Sequence, residues 1–417
     1  MSPVSHLTSN SRRQPSWPRR LFAAATLCGL LAACGCSHFR PHSETQYVYV
    51  TAKQAPLRDR LAAVSNRVGQ VNNGDKLQVL ESARDGRFLR VKTPSGVVGW
   101  LQATQTANQA LADEFEALRQ QHLHSPIVAS ATTTNDAYLH ILPGLDTDRF
   151  YRLSEGDPMS LLERATVPKP VSPGAAVANA ARAASPANPA APPPPPPMDD
   201  FWLVRGPHGE TGWIYSHMVD INVPDAIARY AECRRIIGAY VLATVDDPEA
   251  ANQKSSSKKA AAENQDTAPT TQPVTNIPEY VTVVNSGKAG LPYDFDEVRV
   301  FIWNIKKHRY ETSFRERNIM GYLPVKLFKS KDPYGKGPDA QQQLPTFSYT
   351  VLAADTPVPA PDPKTGELKP AKLVTKTYRL EGNICRRLLP PNTPAPDVAH
   401  PTPEPKKEKA AKGKRKH

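Results

Sequence analysis

The sequence predicts a mainly β protein: two small antiparallel barrels with linking helices, then a C-terminal antiparallel β domain, joined by disordered Pro/Ala-rich linkers. Three observations predict it. Short runs alternate apolar and polar residues between Gly, Asn and Asp turns, as half-buried strands do. One such pattern occurs twice, in residues 47–103 and again in 126–221. The 43 Pro and 22 Gly of the 417 residues are also unevenly spread, so much of the chain is linker. Hydrophobic residues make up 39% of the chain, which suits several small cores better than one large one.

In chain order, four arginines (Arg12, Arg13, Arg19, Arg20) precede an apolar stretch from Leu21 to Ala33. That stretch is too short to span a bilayer as a helix. Its order, basic then apolar then small, is that of a secretory signal over residues 1–33. Leu31-Ala32-Ala33-Cys34 resembles the lipobox of bacterial lipoproteins. The resemblance implies acylation of Cys34, export, and a lipid anchor in a membrane, the outer one if the source has two. Residues 34–46 then form a tether. An oxidising compartment makes Cys233 and Cys385 a candidate disulfide. With no C-x-x-C spacing and no His pair, neither a metal nor a cofactor is expected.

The first barrel is expected over 47–104 and a linking helix over 105–124, where Leu111, Phe115 and Leu118 share one stripe. The second barrel follows over 125–222, with a disordered insert, 166–198, that ends in Pro192 to Pro197. Residues 223–245 are expected as a helix, Asp225 to Ala239 with Cys233 inside it, and a strand extension. A polar linker spans 246–276. The C-terminal β domain covers 277–389, with a long exposed loop at 354–371, and residues 390–417 form a disordered tail. Residues 406–417 carry seven Lys or Arg against one Glu. In an exported protein such a tail meets anionic wall polymers and lipid head groups, so no nucleic acid is expected as partner.

Both barrels resemble the bacterial SH3 family. The first copy carries Leu57-Arg58, Arg67-Val68-Gly69, Gly74-Asp75-Lys76-Leu77, Phe88-Leu89-Arg90-Val91 and Gly96 to Trp100. The second carries Tyr138-Leu139, Gly156-Asp157-Pro158-Met159, Phe201-Trp202-Leu203-Val204 and Gly209 to Trp213. Each ends in x-G-x-x-G-W-[LI], as SGVVGWL and HGETGWI. The chain as a whole is similar to tandem SH3-domain bacterial lipoproteins of unassigned function. The resemblance implies binding, of wall peptides or of proteins.

Trp100, Trp202 and Trp213 are expected in barrel cores, because large aromatics dominate small cores. Tyr47, Tyr49 and Tyr138 at the barrel margins are the candidate ligand contacts. In the C-terminal domain the stretch KKHRYETSFRER offers Lys306, Lys307, Arg309, Arg315 and Arg317 as a cationic surface for carboxylates or phosphates. The competing expectation is that Glu311 and Glu316 pair with these cations and nothing binds. Catalytic residues are not expected: Cys233 lacks the surroundings of a papain-like nucleophile, and no G-x-S-x-G, H-E-x-x-H or phosphate-cradling loop occurs. The function expected is a non-enzymatic, lipid-anchored envelope protein whose barrels recognise peptidoglycan or another envelope polymer. The alternative is a scaffold or assembly factor that holds envelope proteins, and a third reading is an unrecognised enzyme in the C-terminal β domain.

Overall fold

Alternation in residues 47–108 builds seven strands: β1 (Tyr47–Val50), β2 (Gln54–Arg58), β3 (Arg67–Asn72), β4 (Lys76–Ala83), β5 (Phe88–Lys92), β6 (Val98–Gln102) and β7 (Thr106–Asn108). The computed structural model describes residues 45–170, 196–249 and 276–402. In it these strands pair antiparallel in the order β3-β2-β6-β5-β4-β1-β7. Alternate residues, among them Val48, Val50, Leu57, Leu77 and Val91, point to one side and form the core.

The second copy gives β8 (Ala129–Thr133), β9 (Ala137–His140), β10 (Arg149–Leu153), β11 (Pro158–Pro168), β12 (Met198–Arg205), β13 (Thr211–Tyr215) and β14 (Val219–Ile221). Its order is β10-β9-β13-β12-β11-β8-β14. Counted from its own first strand, each sheet therefore has the same order. The repeat reaches single hydrogen bonds: Gly74 N–H donates to Val50 O at 2.8 Å and Gly156 N–H to Thr133 O at 2.9 Å. In the same turns the carboxylates of Asp75 and Asp157 accept from the backbone N–H groups of Asn72 and Ser154. The glycine before each late tryptophan is a close approach: a Cβ on Gly99 would lie 2.7 Å from Leu57 Cβ, and one on Gly212 2.8 Å from Leu139 Cβ. Among the described residues no pairing joins β3 to β7 or β10 to β14, so the hydrogen bonding leaves both sheets open. The expectation of two small antiparallel barrels is corrected to one: the second sheet curls into a half-barrel, and the first is a flat antiparallel sheet.

Helix α1 (Gln109–Gln121) links the copies; the Asn108 side chain caps it, accepting from Leu111 N at 2.9 Å. Its Phe115 is fully buried, against Phe150 and Tyr151 of the second sheet. Asn73 ties the two sheets further: its Nδ2 donates to Phe150 O and its Oδ1 accepts from Arg152 N, both at 3.1 Å.

The helix expected over Asp225 to Ala239 is a single turn, α2 (Asp225–Ala228), followed by a 3-10 turn, Arg229–Ala231. Glu232 and Cys233 then take φ of 54° and 62°, a left-handed conformation that ends the helix. Beyond them Ile236, Ile237, Tyr240 and Val241 favour a strand, and β15 (Arg235–Asp246) is the first strand of the third sheet. That sheet continues as a meander through β16 (Asn276–Asn285), β17 (Phe295–Asn304), β18 (Arg309–Ser330), β19 (Leu344–Leu352), β20 (Leu373–Glu381) and β21 (Ile384–Arg387). The linker expected at 246–276 thus joins two antiparallel neighbours, and its residues 250–275 lie outside the described residues.

The loop 354–371 is largely exposed and touches β11 where Thr166 N–H donates to Gly366 O at 2.8 Å. Three further expectations change. Residues of the expected insert, 166–168 and 198, belong to the β11/β12 hairpin, with Pro168 opposite Met198; residues 171–195 lie outside the described residues. The expected tail is ordered to residue 402, since Val398 bridges Ala353 and Ala399 N–H donates to Leu352 O at 2.9 Å. Cys233 and Cys385 are both free thiols, one just before β15 at one edge of the third sheet, the other on β21 at the opposite edge. The candidate disulfide is therefore absent.

Candidate functional site

The second and third sheets meet along a cleft of about 300 Å³, and the strand that shapes it is β11. A register shift between Leu161 and Glu163, opposite Val204 and Leu203, interrupts the alternation of β11. As a result Leu162, Glu163 and Arg164 all line the cleft. Trp202 comes from β12, Tyr322 and Pro324 from β18, and Leu368 and Pro370 from the loop that crosses β11.

The back wall is held by Arg164, whose side chain is 5% exposed. Its Nε donates to Asp294 Oδ1 at 2.9 Å, one Nη to Asp200 at 3.2 Å, and the other to the carbonyls of Leu291 and Tyr293 at 2.7 Å each. The second Asp294 oxygen accepts from Leu323 N–H at 2.9 Å. Every charged group at the back thus has hydrogen-bond partners, and the two sheets are fixed relative to each other.

Glu163 differs. It is half-buried and has no hydrogen-bond or ion-pair partner among the described residues. Burial, reinforced by the nearby Glu367 carboxylate, pushes its pKa up, while Lys369 acts in the opposite direction. Lys369 is itself ion-paired to Glu367. Burial also lowers the pKa of His122, at the cleft mouth. The arrangement is a slot with polar and apolar walls and one unmatched carboxylate, suited to a ligand that joins a cation to apolar groups.

The residues singled out from sequence lie elsewhere. Tyr47 is exposed, with Lys76 Nζ 4.3 Å from its ring centroid. Tyr49 is taken up between the first two sheets, packed on Phe150 and donating to Gln109 Oε1 at 3.0 Å. Tyr138 lies under Arg149 and Arg152. The expected cationic surface splits in two. Lys306 is exposed in the hairpin before β18, where Lys307 and Arg309 pair with Glu311. Arg315 and Arg317 bind Glu232 and the fully buried Glu297, which Arg234 and Arg299 also contact. Glu316, expected to pair with these arginines, is bound by Lys376 instead.

His308 Nδ1 lies 2.8 Å from Asp247 Oδ2, which also accepts from Trp303 Nε1 at 2.7 Å. Cys233 is at the far end of β15 from this pair; twelve strand residues place it on the order of 30 Å away. The three residues do not form a nucleophile and base in contact. Among the described residues there is no cluster of three metal-ligating side chains, and no helix is long and apolar enough to cross a membrane. The signal segment, Cys34 and the basic residues 406–417 lie outside the described residues.

The cleft was hidden from sequence reasoning because its residues come from separate segments spread between His122 and Leu373. The one local signal was Glu163-Arg164, a charged pair inside an otherwise uncharged strand.

Residues 57–105 match the family model of the bacterial SH3 domain, and this part of the chain is a bacterial SH3-type domain. No curated protein matches the sequence. Similar solved structures include an NlpC/P60 family protein from Bacillus cereus, at 15% identity and TM-score 0.20, the match covering 48% of this chain and 65% of that one. Another is an NlpC/P60 endopeptidase from Photobacterium damselae subsp. piscicida, at 11% identity and TM-score 0.19, covering 42% of this chain and 33% of that one. A third is NlpC2 from Trichomonas vaginalis, at 8% identity and TM-score 0.14, covering 66% and 98%. The chain thus spans less than two thirds of the first two. The expectation of a non-enzymatic polymer-binding protein is corrected by this comparison, since the similar structures are NlpC/P60 proteins and one is described as an endopeptidase. The polymer-binding reading is dropped.

Proposed function

We propose that this chain is a scaffold that holds another protein of the cell envelope, gripping a segment of that protein in the cleft between the second and third sheets. The observation that supports this reading is the cleft itself, pre-formed because Arg164 locks its two walls together. A rigid slot binds a flexible segment without first having to order itself, which lowers the cost of association. The second sheet is, on this reading, a second SH3-type module, supported by its strand order and by the matching turns at Gly74 and Gly156. The segment Leu21 to Ala33 exports the chain, and Cys34 carries the lipid that keeps it at a membrane.

The reading is tested by placing a photo-crosslinking side chain in the full chain at Leu373, on the cleft, or at Ile384, exposed on β21. In cells of the source organism, Leu373 should yield a discrete protein adduct whose cross-linked peptide can be sequenced, and Ile384 should not. Equal adducts from both positions, or none from Leu373, would overturn it.

A further inference from the structure

We infer that the segment held in the cleft presents a lysine or arginine between apolar residues, its cationic head seated against Glu163; this rests on the scaffold reading above. The charges around the cleft leave a place for one cation. Arg164 is saturated by Asp294, Asp200 and two carbonyls, so it neither neutralises Glu163 nor offers itself to a ligand. Both Asp294 oxygens are engaged, by Arg164 and by Leu323 N–H. Lys369 is committed to Glu367, and His122, whose pKa burial lowers, favours its neutral form. With His122 neutral, Glu163, Glu367 and Lys369 together leave one negative charge unmatched.

The walls select what flanks the cation. Leu162, Trp202, Pro324 and Pro370 give the cleft that holds the carboxylate its apolar surface. A basic side chain fits such a slot well, because its methylene stem lies along apolar surface while its head reaches the charge. A charge-assisted hydrogen bond in this sheltered setting is stronger than one on an open surface. An acidic segment would bring a third carboxylate beside Glu163 and Glu367 and be repelled.

The test selects a random-peptide phage library on the full chain, in parallel with the Ser125→Trp variant, which fills the cleft from its mouth. Peptides recovered only by the unmodified chain should share a basic position flanked by apolar residues. For a synthetic copy of one of them, affinity should fall about tenfold on Glu163→Gln, and by a similar factor when its basic residue is replaced by norleucine. Cleft-dependent peptides with no basic preference would overturn this inference and leave the scaffold reading standing. Recovery that Ser125→Trp does not change would overturn both. Affinity that appears only after residues 406–417 are deleted would place the chain's own basic tail in the cleft and overturn the assignment to a partner.

Discussion

Arg164 on β11 and Asp294 at the head of β17 stand 2.9 Å apart, Nε to Oδ1, across the junction of the second and third sheets. Burying a guanidinium costs several kcal/mol in lost hydration, and the pairing recovers this only because each N–H finds an acceptor. The arrangement therefore specifies geometry more than it adds stability. Arg164→Met, which leaves Asp294 and Asp200 buried and unmatched, should lower the unfolding free energy by about 3–5 kcal/mol, read from the denaturant midpoint. Arg164→Lys should not rescue it, because an ammonium cannot reach two carboxylates and two carbonyls at once. A midpoint unchanged by Arg164→Met would mean that the sheets are held together by apolar contact alone.

A second buried pair sets a pH dependence. Glu316 is bound by Lys376 and by the Tyr349 hydroxyl, and Tyr378 donates to it at 3.1 Å. Burial alone would raise its pKa, but these hydrogen bonds outweigh burial and hold it below the usual carboxylate value. A depressed folded pKa means that the stabilisation is fully present above the unfolded value. It is lost as pH falls through the folded one. Lys376→Met should reverse the sign, leaving a buried carboxylate that resists ionisation, with a loss of about 3–5 kcal/mol near neutrality. Urea midpoints taken down the carboxylate range should fall for the unmodified chain and hold or rise for the variant.

The two pairs also mark where sequence reasoning reaches and where it stops. The strands of all three sheets could be read because alternation is local, and the x-G-x-x-G-W motif because Gly99 and Gly212 answer to neighbours that the repeat preserves. The stretch from Ile236 to Ala239 reads as helix in sequence and is strand in the structure: its apolar residues fit both periods, and β-branching was the better guide. Arg315 and Arg317 have plausible partners in sequence at Glu311 and Glu316. The sheet instead sends them to Glu297 on the neighbouring strand and gives Glu316 to Lys376. No local pattern encodes that exchange. Nor does any place Glu163 beside Trp202 and Tyr322.

The cysteines give a direct check on the third sheet. Cys233 is exposed, whereas burial pushes the Cys385 thiol up to about 11, with Ser313 pulling it slightly back. At about pH 8 roughly one Cys385 thiol in a thousand is then ionised, and it is sheltered as well. Iodoacetamide should label the Cys233 peptide at least about tenfold faster than the Cys385 peptide in the folded chain, and at comparable rates after unfolding. A peptide linking Cys233 to Cys385 in a non-reduced digest would contradict this placement.

Glu163 should behave in the sense opposite to Glu316. Its folded pKa is raised, by burial and by Glu367, so the folded chain holds the proton more tightly than the unfolded one. Ionisation above the unfolded value is therefore destabilising, and the penalty is relieved as pH falls through the folded value. Glu163→Gln keeps the shape and removes the charge, and it should raise stability near neutrality by about 0.5–1 kcal/mol. Thermal melts at neutral pH and in the carboxylate range should show that gain shrinking on acidification. A loss of stability would mean that Glu163 has a structural partner after all. A gain would mean that the chain keeps a carboxylate that weakens its own fold, which is the behaviour of a residue retained for what it binds.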